Sequence, residues 1–215
     1  MSAAAIAAAV VLVGAAAAYY VRTRDENGIG LALGGFVDGF ADGAQAIGDY
    51  VVAAAGVLTP GRAAGVTAAD MQNKNVQAFL RVIRRGEGTA DEGGYSRLFG
   101  GGTFSSYADH PRVKVTKNGY TSTAAGAYQF LSRTWDEVRA IMGLADFSPA
   151  SQDWAAVGRI AARGALEDVK AGRFEAAIRK TCLEWASLPG SPYGQPTITL
   201  KTATSVFLSN GGKLA

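Results

Sequence analysis

Thr59-Pro60-Gly61 divides the chain into two parts that cannot follow the same folding rules. Proline lacks a backbone donor and glycine is conformationally loose, so an element running into this tripeptide stops there. Before it the chain is built mostly from alanine, valine and glycine. After it the composition becomes that of an ordinary globular domain. The full chain of 215 residues is 48% hydrophobic, enough for one real core. The reading is therefore four segments: a hydrophobic helix over 1–24, a glycine-rich helical segment over 25–58, a linker over 59–74 and a folded domain over 75–215.

Ser2 to Val21 carries no charge, and ten of the first 21 residues are alanine. A bilayer takes about 20 apolar residues as helix, so this stretch reads as a transmembrane anchor, though a weak one because alanine adds little to insertion. Tyr19 and Tyr20 would sit at the interface, followed by Arg22 and Arg24. There is no basic region ahead of the apolar run, which speaks against a cleaved signal peptide. A helix buried in a protein assembly fits the composition as well. In the next segment Gly35, Gly39 and Gly43 form an unbroken GxxxGxxxG. As a helix it has a smooth groove for a close neighbour, and glycine weakens a lone helix by about 1 kcal/mol per residue relative to alanine. Asp38, Asp42 and Asp49 make the polar face acidic, which favours helix-on-helix packing, including self-association, over anionic lipid. A flexible tether is the competing reading.

The net charge of +3 suits an anionic polymer and is no nucleic-acid signature. One cysteine excludes an internal disulfide, and one histidine excludes a multi-histidine metal site. No cofactor or metal is expected. Thr67-Ala68-Ala69-Asp70 reads as a helix cap. Val76, Phe79, Leu80 and Ile83 recur at helical spacing and predict a helix over 75–85. Further helices are predicted over 124–142, 149–161, 164–170, 173–187 and 197–209. Extended pieces fall at 103–107 and 113–116, with Lys117-Asn118-Gly119 as a hairpin turn. The fold class is α+β, helix-dominant, with one small β-hairpin sheet, preceded by the hydrophobic N-terminal helices.

Glu87 sits between Gly86 and Gly88, just past the C-terminus of the first domain helix. The negative end of the helix dipole disfavours its charged form, and burial there would raise its pKa as a general acid requires. Taken alone, these residues are better explained by an exposed glutamate in a glycine-rich turn.

The longer pattern is more specific. Arg85-Gly86-Glu87-Gly88-Thr89, Gly94-Tyr95, Tyr107-Ala108-Asp109-His110-Pro111-Arg112, Ser122-Thr123-Ala124-Ala125-Gly126-Ala127-Tyr128-Gln129-Phe130, Ser151-Gln152-Asp153 and Trp185-Ala186-Ser187-Leu188-Pro189-Gly190 stand in order. Tyr193-Gly194-Gln195 closes the series. Together they resemble the lambda-type phage endolysins of the lysozyme superfamily, across Phe79 to Gln195. The resemblance implies a lysozyme-like domain that cleaves the β-1,4 bond between N-acetylmuramic acid and N-acetylglucosamine in peptidoglycan glycan strands. It implies a lytic transglycosylase, which closes a 1,6-anhydro ring instead of adding water, with Glu87 as its single acid and base. The family's lambda member has an Asp after the Gly-Tyr pair. Here that position is Ser96, so Asp91 or Asp109 would have to supply any assistance it gives.

Tyr128 and Gln129 resemble the element that lines the sugar cleft in related enzymes, with core packing as the alternative for Tyr128. Tyr193 and Gln195 read as a second wall or as a structured loop. Ser122 and Thr123 either bond substrate or cap the following helix. Tyr95 and Asp109 complete the expected substrate-binding set. Glu92 to Gly102 has five glycines in eleven residues and reads as a lid. Cys182, Trp135 and Trp154 are expected in the core, and His110 in a structural role. Two arrangements account for residues 1–58. In one the enzyme is membrane-anchored and acts in host lysis. In the other it is virion-associated, packed on virion proteins, and opens the cell wall at entry; the glycine zipper favours this one. A lysozyme-like domain that only binds peptidoglycan is the non-catalytic alternative.

Overall fold

The computed structural model describes residues 7–13, 16–25, 28–34, 60–117 and 119–215. The N-terminal stretch differs from expectation. Where a hydrophobic helix was predicted over 1–24 and a glycine-rich helical segment over 25–58, the described backbone is a three-stranded antiparallel meander: β1 (Ala7–Val13), β2 (Ala16–Asp25) and, within the second segment, β3 (Gly28–Gly34). Val13 pairs with Ala16, and Asp25 pairs with Gly28, so two residues join each pair of strands. The composition explains why helix was not forced. Val10, Val11, Val13 and Val21 are β-branched and Tyr19 and Tyr20 aromatic, all good strand formers. Among the described residues no helix is long and apolar enough to cross a membrane. The GxxxGxxxG of Gly35, Gly39 and Gly43 lies outside the described residues.

The stretch read as a linker carries α1 (Pro60–Ala64) and α2 (Ala68–Gln72). Ala63 and Val66 are buried, so this segment belongs to the packed body. The cap read at Thr67 is present: its hydroxyl accepts from the Asp70 amide while the Asp70 carboxylate accepts from the Thr67 amide.

Next comes α3 (Lys74–Gly86), capped by Asn73, whose side chain accepts from the amides of Asn75 and Val76. Its apolar stripe of Val76, Phe79, Leu80 and Ile83 is buried as predicted. Each such side chain contributes about 1.5–3 kcal/mol by leaving water. Around α3 pack α6 (Leu166–Lys170) and α8 (Leu200–Ser209), and α5 (Pro149–Ala162) packs against α4 (Ser132–Met142) and α1. Phe79 meets Phe174, at the start of α7 (Phe174–Thr181), edge-on at 5.8 Å. Trp135 meets Phe147 edge-on at 4.7 Å. Trp135 and Cys182 are core residues and Trp154 packs partly buried against them.

The hairpin is β4 (Val115–Lys117) with β5 (Tyr120–Ser122), Lys117 opposite Tyr120. The lid-like stretch folds as two 3-10 turns, Glu92–Ser96 and Phe99–Gly101. Extended structure at 103–107 is reduced to a single bridge between Thr103 and Arg97.

Two predicted helices are shorter than expected. Residues 124–131 form a tight turn instead of the first half of α4, with Ala125 bridged to Phe130. Gly126 has φ +78°, and a Cβ there would lie 2.3 Å from Gln152 Oε1. That buried amide accepts from the Ala127 N–H and fixes the turn. The helix predicted over 173–187 ends at Thr181, and 182–188 turns away.

Candidate active site

The close of α3 sets the position of the acid. Glu87 is the C-cap, with helical φ −74° and ψ −5°, and Gly88 follows in the left-handed conformation at φ +70°. The Thr89 amide returns to the Arg84 carbonyl at 2.9 Å and the Gly88 amide to Arg85 at 3.4 Å. This is a Schellman closure, which needs glycine at the left-handed position. Thr89 is then fastened by its hydroxyl to the Ala127 carbonyl at 2.5 Å. The glutamate thus hangs from a rigid corner.

The opposite face comes from the 182–188 turn. Ser187 donates its hydroxyl to Glu87 Oε1 at 2.6 Å. The approach is close because Gly86 has no side chain: a Cβ there would lie 2.5 Å from Ser187 Oγ. Burial raises the Glu87 pKa to about 8, and the Ser187 hydroxyl, which favours the carboxylate, opposes it. Near neutrality the group holds its proton and can give it up, which is what a general acid must do.

Glu87 opens on a cleft of about 400 Å³. Gly86, Gly88 and Ser187 form its floor beside the acid. The 3-10 turn contributes Arg97 to Gly101, the hairpin Lys117, and the far wall Gln129, Gln195 and Pro196. Gln129 has φ +48°, an uncommon conformation for a side chain of its size. Its own amide donates to the Gly126 carbonyl at 2.9 Å and to Arg97 at 3.3 Å, which locks it at the wall. Among the described residues lining this cleft, Glu87 is the one carboxylic acid.

Of the expected substrate-binding residues, the structure brings Gln129 and Gln195 to Glu87. The others lie elsewhere. Tyr128 is buried and donates to Asp153 Oδ1 at 2.6 Å, and Tyr95 donates to the same oxygen at 2.8 Å. Both rings line a separate pocket of about 380 Å³ with Arg84 and Asp153. Successive residues of a turn point in different directions, so Gln129 reaches the cleft and Tyr128 the interior. Tyr193 is buried and donates to the Leu183 carbonyl at 2.9 Å. Ser122 accepts from the Ala124 amide and Thr123 from the Ser132 amide, so both serve the turn into α4.

Asp109 accepts from the Trp135 indole and pairs with Arg112 and Arg139. Burial pushes its carboxyl up, but these bonds outweigh it and hold the pKa below the usual range. Asp91 pairs with Arg97 at 2.7 Å, and Ser96 bonds the Gly93 carbonyl. Neither Asp91 nor Asp109 lines the cleft. His110 is buried with a ring nitrogen 2.8 Å from the Phe130 carbonyl.

Sequence reasoning missed Ser187, Arg97 and Lys117. Ser187 is 100 positions from the group it touches, and the run Trp185 to Gly190 that carries it was matched by resemblance without a role for the serine. Among the described residues no cluster of histidine, cysteine or carboxylate could hold a metal.

The family model described as Endolysin matches residues 77–214. The endolysin of Escherichia phage lambda is 43% identical over 148 residues, covering 65% of this chain and 93% of that protein. The endolysin of Escherichia phage P2 is 40% identical over 156 residues, covering 65% and 94%. The solved structure of bacteriophage lambda lysozyme complexed with a chitohexasaccharide is 41% identical, with a TM-score of 0.64, over 66% of this chain and 97% of that one. With an acid at a helix end over a cleft, and this likeness along the whole domain, the chain belongs to the endolysin family and is a lysozyme-like enzyme.

Proposed function

We propose that this enzyme cleaves the β-1,4 bond between N-acetylmuramic acid and N-acetylglucosamine in peptidoglycan as a lytic transglycosylase. The observation that carries the reading is the cleft with one carboxylic acid, protonated near neutrality, and no second carboxylate among the described residues of its lining. Glycosidases that add water or form a glycosyl-enzyme use a carboxylate pair. Here Glu87 gives its proton to the glycosidic oxygen as the anomeric carbon–oxygen bond breaks. The muramic acid 6-hydroxyl oxygen then bonds the anomeric carbon, and its proton returns to the Glu87 carboxylate. The ring closes, no water is consumed, and the acid is regenerated. Ser187 supports the ionised form between the two transfers. Gln129 and Gln195 supply amides suited to sugar hydroxyls and acetamido groups.

Mass spectrometry of peptidoglycan digested by the enzyme tests this. Anhydro-muramic ends, absent with Glu87→Gln, are expected. Reducing ends would mean a hydrolytic muramidase, and no cleavage by the parent would leave a glycan-binding domain.

The site of action is the bacterial cell wall. Virion association is the second part of the proposal, carried by residues 1–58, which lie outside the family match. The chain should be detected in purified particles; its absence there would leave the host-lysis role.

A further inference from the structure

We propose that the buried ion triad Arg159–Glu184–Arg163 is a positioning device for the acid, fixing the 182–188 turn so that Ser187 stays on Glu87. The inference rests on the reading of Glu87 as the acid. Arg159 on α5 and Arg163 at its C-cap, one turn apart, clasp Glu184 from both sides. Arg159 Nε donates to Oε1 at 2.6 Å and Arg163 Nε to Oε2 at 2.9 Å. The Glu184 side chain is 5% exposed, and the arginines 8% and 11%, so the clasp is shielded from water. Arg163 Nη2 also donates to the Leu183 carbonyl at 2.7 Å, and the Tyr193 hydroxyl donates to that same oxygen.

The rest of the turn is held from other directions. The Trp185 indole donates to the Tyr128 carbonyl at 3.3 Å, and the Ile198 amide to the Ser187 carbonyl at 2.9 Å. Ser187 stands three residues after Glu184, inside this frame, and meets Glu87 at the far side. A clasp this buried is a poor source of net stability, because desolvating three charges offsets most of their attraction. Its geometric definition is the better reason for it: each arginine Nε donates to a different carboxylate oxygen, and Arg163 ties the Leu183 carbonyl as well, which fixes the start of the turn in position.

The charges that face each group are few. Arg97 and Lys117 share the cleft with Glu87, and Arg84 and Arg85 occupy the last turn of α3. Glu184 faces Arg159 and Arg163, with Glu137 at 3.9 Å from Arg159.

The direction of a pKa change separates positioning from direct electrostatics. Replacing Glu184 by Gln removes a negative charge and leaves two cations, which by charge alone favours the Glu87 carboxylate and lowers its pKa. Loss of the Ser187 hydrogen bond does the reverse. The Glu87 carboxyl is titrated by carbon NMR in the full chain labelled with carbon-13 glutamate, its signal assigned by disappearance in Glu87→Gln. Ser187→Ala should raise the midpoint by about one pH unit, the size expected for losing a hydrogen bond to a charged group. Glu184→Gln should raise it too, and the double variant should move no further than Ser187→Ala. An unchanged or lowered midpoint in Glu184→Gln, or additive shifts in the double, overturns the proposal. Arg163→Lys keeps the charge but cannot reach both Glu184 and Leu183. If Glu184→Gln does not fold, Arg163→Lys decides by the same criterion. Cleavage by Glu87→Gln would instead remove the acid reading and leave the titration result standing.

Discussion

Glu87 and Glu184 are the same side chain put to opposite ends. Glu87 closes α3 against Ser187 of the 182–188 turn, and Glu184 of the same turn is held by arginines from α5 and its C-cap. Burial pushes both upward. Glu184 meets two guanidiniums, whose charge and hydrogen bonds outweigh burial and hold it ionised below its ordinary value. Glu87 meets one neutral hydroxyl, which opposes burial without cancelling it, and stays protonated up to about pH 8. The difference is the number of positive donors within reach, not the depth of burial. A fixed charge suits a strut, and a proton held loosely suits an acid.

The largest test of this contrast is Glu87→Gln. The amide keeps the shape and cannot transfer a proton, so cleavage rate should fall by about 10²–10⁴-fold, the range general acids supply. Stability should move the other way. The folded state holds a proton on Glu87 that the unfolded chain releases above its ordinary pKa of 4.5. Native stability therefore falls as pH rises from 4.5 to about 8, and the glutamine variant escapes this loss. At pH 8 it should be more stable by on the order of 2 kcal/mol, allowing for screening at a partly exposed group. Urea unfolding of both proteins at pH 5 and pH 8 measures it; a variant no more stable at pH 8 than the parent would mean that Glu87 is not held protonated.

Glu184→Ala attacks the other pole. Two buried arginines are left without their carboxylate, which costs about 3–5 kcal/mol. Its denaturation midpoint should drop at every pH from 5 to 9, with no pH window like that of Glu87→Gln. A loss below 1 kcal/mol would show that water or Glu137 takes over the charge.

Gly86→Ala works on the contact between the poles. The added methyl meets Ser187 Oγ at 2.5 Å and must push it off Glu87. Alanine is the better helix former by about 1 kcal/mol, so stability should change little while the rate falls about tenfold. Unchanged kinetics would show that Ser187 matters neither to the acid nor to its proton affinity.

How far these features could be read from the sequence depends on how local their causes are. The α3 stripe, the Thr67 cap and the hairpin turn are encoded within a few residues and were legible, as was the corner holding Glu87. Gln129 and Gln195 were placed beside it by resemblance. Ala124-Ala125 looks helical, but Gln152, on a later helix, anchors the following turn and overrides it. Likewise 182–188 reads as helix until Glu184 is drawn to α5. Ser187 stood in a run matched by resemblance, but its role was not legible because its partner lies across the fold. The described strands between Ala7 and Gly34 were read as helix because alanine favours helix and the apolar run is long, while the valines and tyrosines within it are strand formers.

The smallest expected effect concerns where the cleft ends. Tyr128 was expected against the sugar, yet its hydroxyl serves Asp153, a carboxyl raised by burial and supported by Tyr128 and Tyr95. Tyr128→Phe removes one of those two donors and leaves the ring in the core. It should cost about 1 kcal/mol, the usual net value of one such bond. The kcat/KM on peptidoglycan should stay within about twofold, because no atom near Glu87 moves. Gln129→Ala, by contrast, opens the wall itself and should lower kcat/KM by about tenfold or more, the loss of one well-placed polar contact. If Tyr128→Phe were the more damaging of the two, the sugar must reach Asp153, and the two pockets would form one substrate path with a second carboxyl in it. The single-acid mechanism would then give way to a pair.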